Sequence, residues 1–120
     1  MPVQTKSIYD PPMRKDGLRV LVTRYWPRGV SRDAVSSYVS ALAPSRDLLR
    51  TFKDHSIGWR EFATGYRHEM QGNEPRREIE HLAHSAASRK VTLLCTCRED
   101  VQCHRSLLRD LVEAQMTAVP

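Results

Sequence analysis

The chain has 120 residues, of which 40% are hydrophobic and 28% charged, and its formal net charge is +5. This composition is typical of a water-soluble globular protein with one core, so we expect a single domain over residues 1–120. No apolar stretch approaches the roughly 20 residues that cross a bilayer, and the first twelve residues lack the apolar centre of a secretory signal. The protein is therefore expected to be cytoplasmic, without a membrane partner, and its positive charge favours an anionic partner, either a small molecule or a nucleic acid.

The first half of the chain predicts two strands and two helices. A short strand is predicted at residues 7–9, before a proline-rich loop, and a second strand at 18–22, whose sequence LRVLV fits burial on both faces. Ser31 is a candidate N-cap for a helix that continues to residue 42. Pro44 breaks that helix, and Ser45 is placed to start a shorter one.

The second half predicts three helices and one strand. Ser56 is a candidate N-cap for a helix with one apolar stripe, and Pro75 lies in the first turn of the next helix. Residues 91–96 (VTLLCT) form a predicted buried strand, followed by a last helix over 104–116. Strands separated by helices indicate parallel pairing. We expect a small three-layer α/β domain, with a short, mostly parallel sheet of three to four strands flanked by about five helices.

Two loops are expected at one edge of this sheet. Residues 23–29 (TRYWPRG) follow the second predicted strand, and residues 95–105 (CTCREDVQCHR) follow the last one. Ligands of open α/β sheets bind beyond the carboxyl ends of the strands. If the two strands are neighbours, the loops share one crevice.

The loop 95–105 carries the groups with the most versatile chemistry. A helix that begins near His104 aims free backbone N–H groups at the edge of the sheet, where a bound anion would compensate the cations His104 and Arg105. Glu99 and Asp100 are an internal alternative to a bound anion. His104 has an intrinsic pKa near neutrality, which suits a proton donor or acceptor.

The three cysteines lie within nine residues, and an odd number so spaced is a poor disulfide framework. Cys103, beside a helix start, His and Arg, is a candidate nucleophile or redox thiol. Cys95, on a predicted central strand, is either part of the site or a small core residue. With Cys97 and His104 they match a zinc site in number, but adjacent residues on a helix diverge, so we assign no metal ligand and name no cofactor.

The loop 23–29 interleaves arginines with aromatic rings. Arg24 and Arg28 can hold a phosphate while a ring stacks on Tyr25 or Trp26. The alternative is that Trp26 packs the loop onto the sheet and the arginines pair with acidic residues.

These motifs also resemble a known family. The stretch LRVLVTRYWPRGVSRD and the block VTLLCTCREDVQCHRSLL are similar to conserved segments of DUF488, a family of small bacterial proteins of unknown function. The resemblance implies an α/β fold and a site near the CHR residues, but it implies no reaction. Where many relatives have a glutamate, this chain has Cys97.

The leading hypothesis is therefore an anion-binding domain, for a phosphorylated or nucleotide-like small molecule, with the question of catalysis open. Candidate catalytic residues are His104 and Cys103. Candidate ligand-binding residues are Arg24, Trp26, Arg28, Cys95, Arg98 and Arg105. The alternatives are a nucleic-acid-binding module and a Cys/His metal or redox site.

Overall fold

The computed structural model describes residues 3–97 and 103–118, and four strands within them form one sheet. They are β1 (Val3–Ser7), β2 (Leu18–Leu21), β3 (Ser37–Tyr38) and β4 (Val91–Cys95). Neighbouring strands are parallel throughout, in the order β1-β4-β2-β3. All five residues of β4 are buried, as expected for a central strand of a parallel sheet.

Four α-helices among the described residues cover one face of the sheet. They are α1 (Arg46–Lys53), α2 (Trp59–Glu69), α3 (Asn73–Ala86) and α4 (His104–Ala118). Their apolar side chains pack with alternate residues of the strands into the main core. None of the helices in these ranges combines the length and the apolar character needed to cross a membrane. The predicted α/β class and parallel sheet are confirmed, with four helices in place of about five.

The second face of the sheet is covered by connecting segments rather than by helices. A small cluster of Ile8, Leu21 and Leu94 lies there, with Val30 and Val35 packed against it. The layer opposite the helices is therefore built from loops and short 3₁₀ turns, which explains why fewer helices are present than the sequence predicted.

The helix predicted over residues 31–42 is wrong. Ser31 does accept a hydrogen bond from the Asp33 amide, but it caps only the 3₁₀ turn Arg32–Ala34. The chain then pairs with β2 as β3 and makes a second 3₁₀ turn at Ser40–Leu42. Hydrogen bonding to β2, a tertiary contact, outweighs the local helical spacing of the apolar residues.

Two other predicted boundaries also differ. The first strand was predicted at residues 7–9, but residues 3–7 are the ones that pair with β4. The predicted strand therefore overlaps β1 only at Ser7. Ser56 does not cap α2; Gly58 takes that place, and the Ser56 amide binds Asp54. Ser45, in contrast, caps α1 as predicted: its side chain accepts a hydrogen bond from the Leu48 amide.

A network of charged groups is buried on the second face of the sheet, centred on Asp16, and we call it the Asp16 network. The Asp16 carboxylate is fully buried and lies 2.9 Å from Lys6 Nζ and 2.6 Å from an Arg19 nitrogen. The carboxylate also accepts hydrogen bonds from Gln4 Nε2 and from the Met13 amide. Burial raises the pKa of Asp16, but hydrogen bonds from Lys6, Met13 and Arg19 outweigh it and lower the pKa overall.

Candidate functional site

Cys103 and the first two residues of α4 contact the ends of three strands. The Cys103 sulfur lies 2.9 Å from the Cys95 sulfur at the end of β4. His104 Nε2 lies 2.7 Å from the carbonyl oxygen of Val22, the residue after β2. An Arg105 nitrogen donates to the carbonyl of Lys6 in β1 at 3.0 Å. The amino end of α4 is thus inserted end-on at the carboxyl edge of the sheet.

The three cysteines form one cluster there. Cys97 is exposed, while Cys95 and Cys103 are buried. Hydrogen bonds from Cys103 and then Cys95, helped by the charge of Arg105, lower the pKa of Cys97 far below its ordinary value. These contacts therefore favour the ionised form of Cys97.

The other two thiols stay protonated. Hydrogen bonding to Cys95 and Cys97, together with burial, raises the pKa of Cys103 well above its ordinary value. The hydrogen bond with Cys103 lowers the pKa of Cys95, but the bond with Cys97 and burial outweigh it, and the pKa rises to about 11. Within the cluster, the ionised form is therefore favoured at the exposed member.

His104 is held in one tautomer. Because the Val22 carbonyl can only accept, Nε2 carries the proton and Nδ1 carries the lone pair. Burial lowers the pKa of His104, and the Val22 bond and the Cys97 charge offset this only in part, so the ring is neutral. The Tyr66 ring packs 5.6 Å away, and its hydroxyl donates to the Leu42 carbonyl at 2.7 Å.

Arg105 lies inside the cluster rather than at its mouth. Its side chain is 2% exposed, and one nitrogen donates to the carbonyls of Lys6 and Cys97 and lies 3.4 Å from the Cys95 sulfur. The guanidinium therefore ties β1 to the end of β4 and supplies positive charge beside the thiolate.

The cysteine and histidine side chains of this cluster are also potential ligands of a metal ion. Ligand atoms of Cys95, Cys103 and His104 all lie within 4.8 Å of one another, and their types suit a soft ion such as zinc. Two thiolates on tetrahedral zinc would sit about 3.8 Å apart, given Zn–S bonds of about 2.3 Å. The observed 2.9 Å between the two sulfurs is shorter and fits a hydrogen-bonded thiol pair better.

The loop 23–29 is held by backbone contacts. The Arg24 guanidinium donates to the carbonyls of Ala43 and Pro44 at 3.1–3.2 Å. Trp26 donates to the Val30 carbonyl, and its ring meets Tyr38 edge-on at 5.5 Å. Packing within the loop is thus the role that the structure gives to Trp26, although both rings remain partly exposed. Arg28 is exposed.

A cleft of about 830 Å³ opens between this loop and α1. Four basic and two acidic side chains contribute to its wall. The lining residues are Arg24, Tyr25, Ser45, Arg46, Asp47, Leu49, Arg50, Lys53 and Asp54. Among the described residues the lining includes none of the cysteines and not His104, so the cleft is not a crevice shared by the two loops. The start of α4 instead contacts Val22, the residue before the loop 23–29.

Sequence reasoning missed two parts of this arrangement. Cys97 was considered only as a metal ligand and as a departure from the family pattern, although its exposure makes it the most accessible thiol. Tyr66 and Glu69, one turn apart on α2, connect the cluster to the cleft: Tyr66 packs on His104, and Glu69 accepts from the Ser45 amide at 2.8 Å. The sequence placed Tyr66 on the apolar stripe of this helix and made Glu69 a polar candidate whose helical position favoured solvated surface. Arg98 lies outside the described residues.

Comparisons with known proteins agree with the motifs. The chain is 32% identical over 112 residues to the uncharacterized protein YeaO of Escherichia coli K12, covering 92% of this chain and 96% of that protein. It is 27% identical over 115 residues to the uncharacterized protein Rv3073c of Mycobacterium tuberculosis H37Rv, covering 94% and 95%. No solved structure matches the chain. Residues 3–116 match the DUF488-N3a model, described as the active DUF488-N3 subclade, and the chain belongs to the DUF488 family.

Proposed function

We propose that the protein binds an anionic small molecule, phosphorylated or nucleotide-like, in the cleft between the loop 23–29 and α1. The observation that carries this proposal is the charge of the wall, where Arg24, Arg46, Arg50 and Lys53 outnumber Asp47 and Asp54. The volume of about 830 Å³ also falls in the range of small-molecule sites.

Two features of the wall favour an anion over a neutral ligand. The amino end of α1, at Arg46, contributes the partial positive charge of the helix dipole. Arg24 is held by two carbonyls, so its charge is fixed in place before a ligand arrives, which lowers the entropic cost of binding. Arg105, being buried against carbonyls and sulfur, is better suited to hold the Cys97 thiolate than the ligand.

We also propose that the cysteine cluster makes the domain an enzyme. Cys97 supplies a thiolate nucleophile, Cys103 donates a hydrogen bond to it, and the Nδ1 lone pair of His104 supplies a proton acceptor. Tyr66 and Glu69 of α2 connect these groups to the wall of the cleft.

Calorimetric titration with inorganic phosphate, AMP and ADP tests the binding step. Arg50→Ala and Arg24→Ala should weaken binding about tenfold, the equivalent of roughly 1.4 kcal/mol. Arg77→Ala is the matched control, because Arg77 is an exposed arginine of α3 that does not line the cleft. Equal, weak binding by all four proteins would contradict the proposal. Affinity that grows with the length of an oligonucleotide and falls steeply with salt would favour the nucleic-acid alternative.

A further inference from the structure

The cysteine cluster combines one accessible thiol with two sheltered ones. Cys97 is exposed, and the Cys95 and Cys103 side chains are 1% and 2% exposed. The two sheltered sulfurs lie 2.9 Å apart, and both thiols hydrogen-bond to the Cys97 sulfur. Arg105 donates to the Cys97 carbonyl and to the Cys95 sulfur beside it. An accessible thiolate with a second thiol in contact is the arrangement in which cysteine oxidation stops reversibly at a disulfide.

We propose that Cys97 is a peroxide-reactive site whose oxidation is resolved by Cys103, giving a reversible Cys97–Cys103 disulfide. This inference goes beyond ligand binding and does not depend on it. The co-reactant is a hydroperoxide, and a dithiol reductant restores the starting state.

The first step consumes the peroxide. The Cys97 sulfur attacks one peroxide oxygen, an S–O bond forms and the O–O bond breaks. The departing hydroxide or alkoxide takes a proton and leaves as water or alcohol. Sulfur loses two electrons and becomes a sulfenic acid, and the peroxide is reduced by the same two electrons.

The second step closes the disulfide. The Cys103 sulfur attacks the Cys97 sulfur, an S–S bond forms and the S–O bond breaks. Hydroxide leaves with the proton of the Cys103 thiol as water. Across both steps the two cysteines lose two hydrogen atoms, so the chain becomes lighter by about 2 Da.

Backbone constraints select Cys103 rather than Cys95 as the partner. A disulfide needs its sulfurs about 2.05 Å apart, so one partner has to move towards the other. Cys95 ends β4, where its register with Ser7 and its carbonyl bond from the Ile8 amide hold it. Cys103 precedes α4 and belongs to no strand.

The experiment uses the reduced, full-length protein with hydrogen peroxide, followed by intact mass and peptide mapping. Wild type and Cys95→Ser should each lose about 2 Da and yield a Cys97–Cys103 peptide pair, which dithiothreitol reverses. Cys103→Ser should accumulate a sulfenic acid on Cys97 that dimedone traps. Cys97→Ser should react at least about tenfold more slowly with peroxide, and since Cys97 is exposed this variant is expected to fold.

Three results would overturn the proposal. One is a Cys95–Cys103 bond that forms as fast in Cys97→Ser as in wild type. Another is a Cys97 that reacts with peroxide no faster than free cysteine. The third is stoichiometric zinc in the purified protein, because cysteines that bind the ion would serve as its ligands and not as peroxide-reactive thiols. Loss of phosphate binding would affect none of these measurements, so failure of this inference and of the proposed ligand are distinguishable.

Discussion

The Asp16 network and the cysteine cluster both bury polar groups against the sheet, but the two sets of groups differ in chemical reactivity. In the Asp16 network one carboxylate faces two cations and several N–H donors, so its charge is matched and its pKa is lowered. In the cysteine cluster His104 and Arg105 are bound to backbone carbonyls, and the thiol with the lowered pKa is the exposed Cys97. The first arrangement uses its carboxylate entirely in structural contacts and stabilises the fold. The second leaves a nucleophile and a lone pair at the edge of the sheet.

The largest effect is expected from breaking the Asp16 network. Asp16→Ala leaves Lys6 and Arg19 without their carboxylate in a buried setting, which should cost roughly 3–5 kcal/mol of the free energy of unfolding. Asp47→Ala is the control, because the exposed Asp47–Arg50 pair should contribute about 1 kcal/mol or less. Urea denaturation measures both. Similar losses in the two variants would contradict the assignment of the Asp16 network as a stabilising centre.

Arg105 tests whether the cysteine cluster also serves stability. Arg105→Met removes the donor to the Lys6 and Cys97 carbonyls and should cost about 2–3 kcal/mol, the worth of hydrogen bonds to a charged group. The same variant should raise the pKa of Cys97, because a positive charge beside the thiolate is lost. Urea denaturation and a thiol titration monitored at 240 nm, roughly the thiolate absorption, check the two effects. A destabilised variant with an unchanged thiol titration would leave Arg105 a structural role only.

His104 makes stability depend on pH. Its pKa in the folded state is lowered from 6.5, so the unfolded chain binds more protons and stability should fall as the pH drops below 6.5. The loss amounts to about 1.4 kcal/mol for each unit by which the pKa is lowered. His104→Gln keeps a donor for the Val22 carbonyl and should flatten this part of the profile. Urea denaturation from pH 7.5 to about 5 measures the difference; parallel profiles for the two proteins would contradict it.

The smallest effect is expected at Tyr66. Tyr66→Phe keeps the ring against His104 but leaves the buried Leu42 carbonyl without its donor, at a cost of about 1 kcal/mol. Tyr38→Phe is the matched control, since its hydroxyl binds the Arg24 carbonyl near solvent and should matter less. Thermal denaturation resolves the two. A larger loss for Tyr38→Phe would place the more important tyrosine at the loop 23–29 instead.

The sequence predicted those parts of the fold that are decided locally. The apolar runs of β2 and β4 and the Ser45 cap depend on residues close together in the chain, and all three were found. The helix expected over 31–42 failed because pairing of Ser37 and Tyr38 with β2 depends on residues far away. Local patterns carry no information about such pairing.

The site was predictable to a similar degree. The rule that parallel strands share their carboxyl edge places both loops at one edge, and His104 does reach the residue after β2. A crevice shared by the two loops did not follow, because the cleft is lined by the loop 23–29 and α1. The buried position of Arg105 could not be predicted from the sequence. It depends on a hydrogen bond to the carbonyl of Lys6, which is far away along the chain. Which thiol ionises depends on hydrogen bonds among all three sulfurs, so Cys97 could not be singled out from spacing alone.

The end-on insertion of α4 has a consequence for how this chain tolerates change in length. Successive residues of a helix point about 100° apart, so a residue inserted at His104 would rotate everything after it away from its strand. A substitution at Cys103, His104 or Arg105 removes one contact, whereas an insertion there would misdirect the neighbours as well. The fold should therefore accept insertions and deletions in its surface connections while keeping an invariant residue count across this junction.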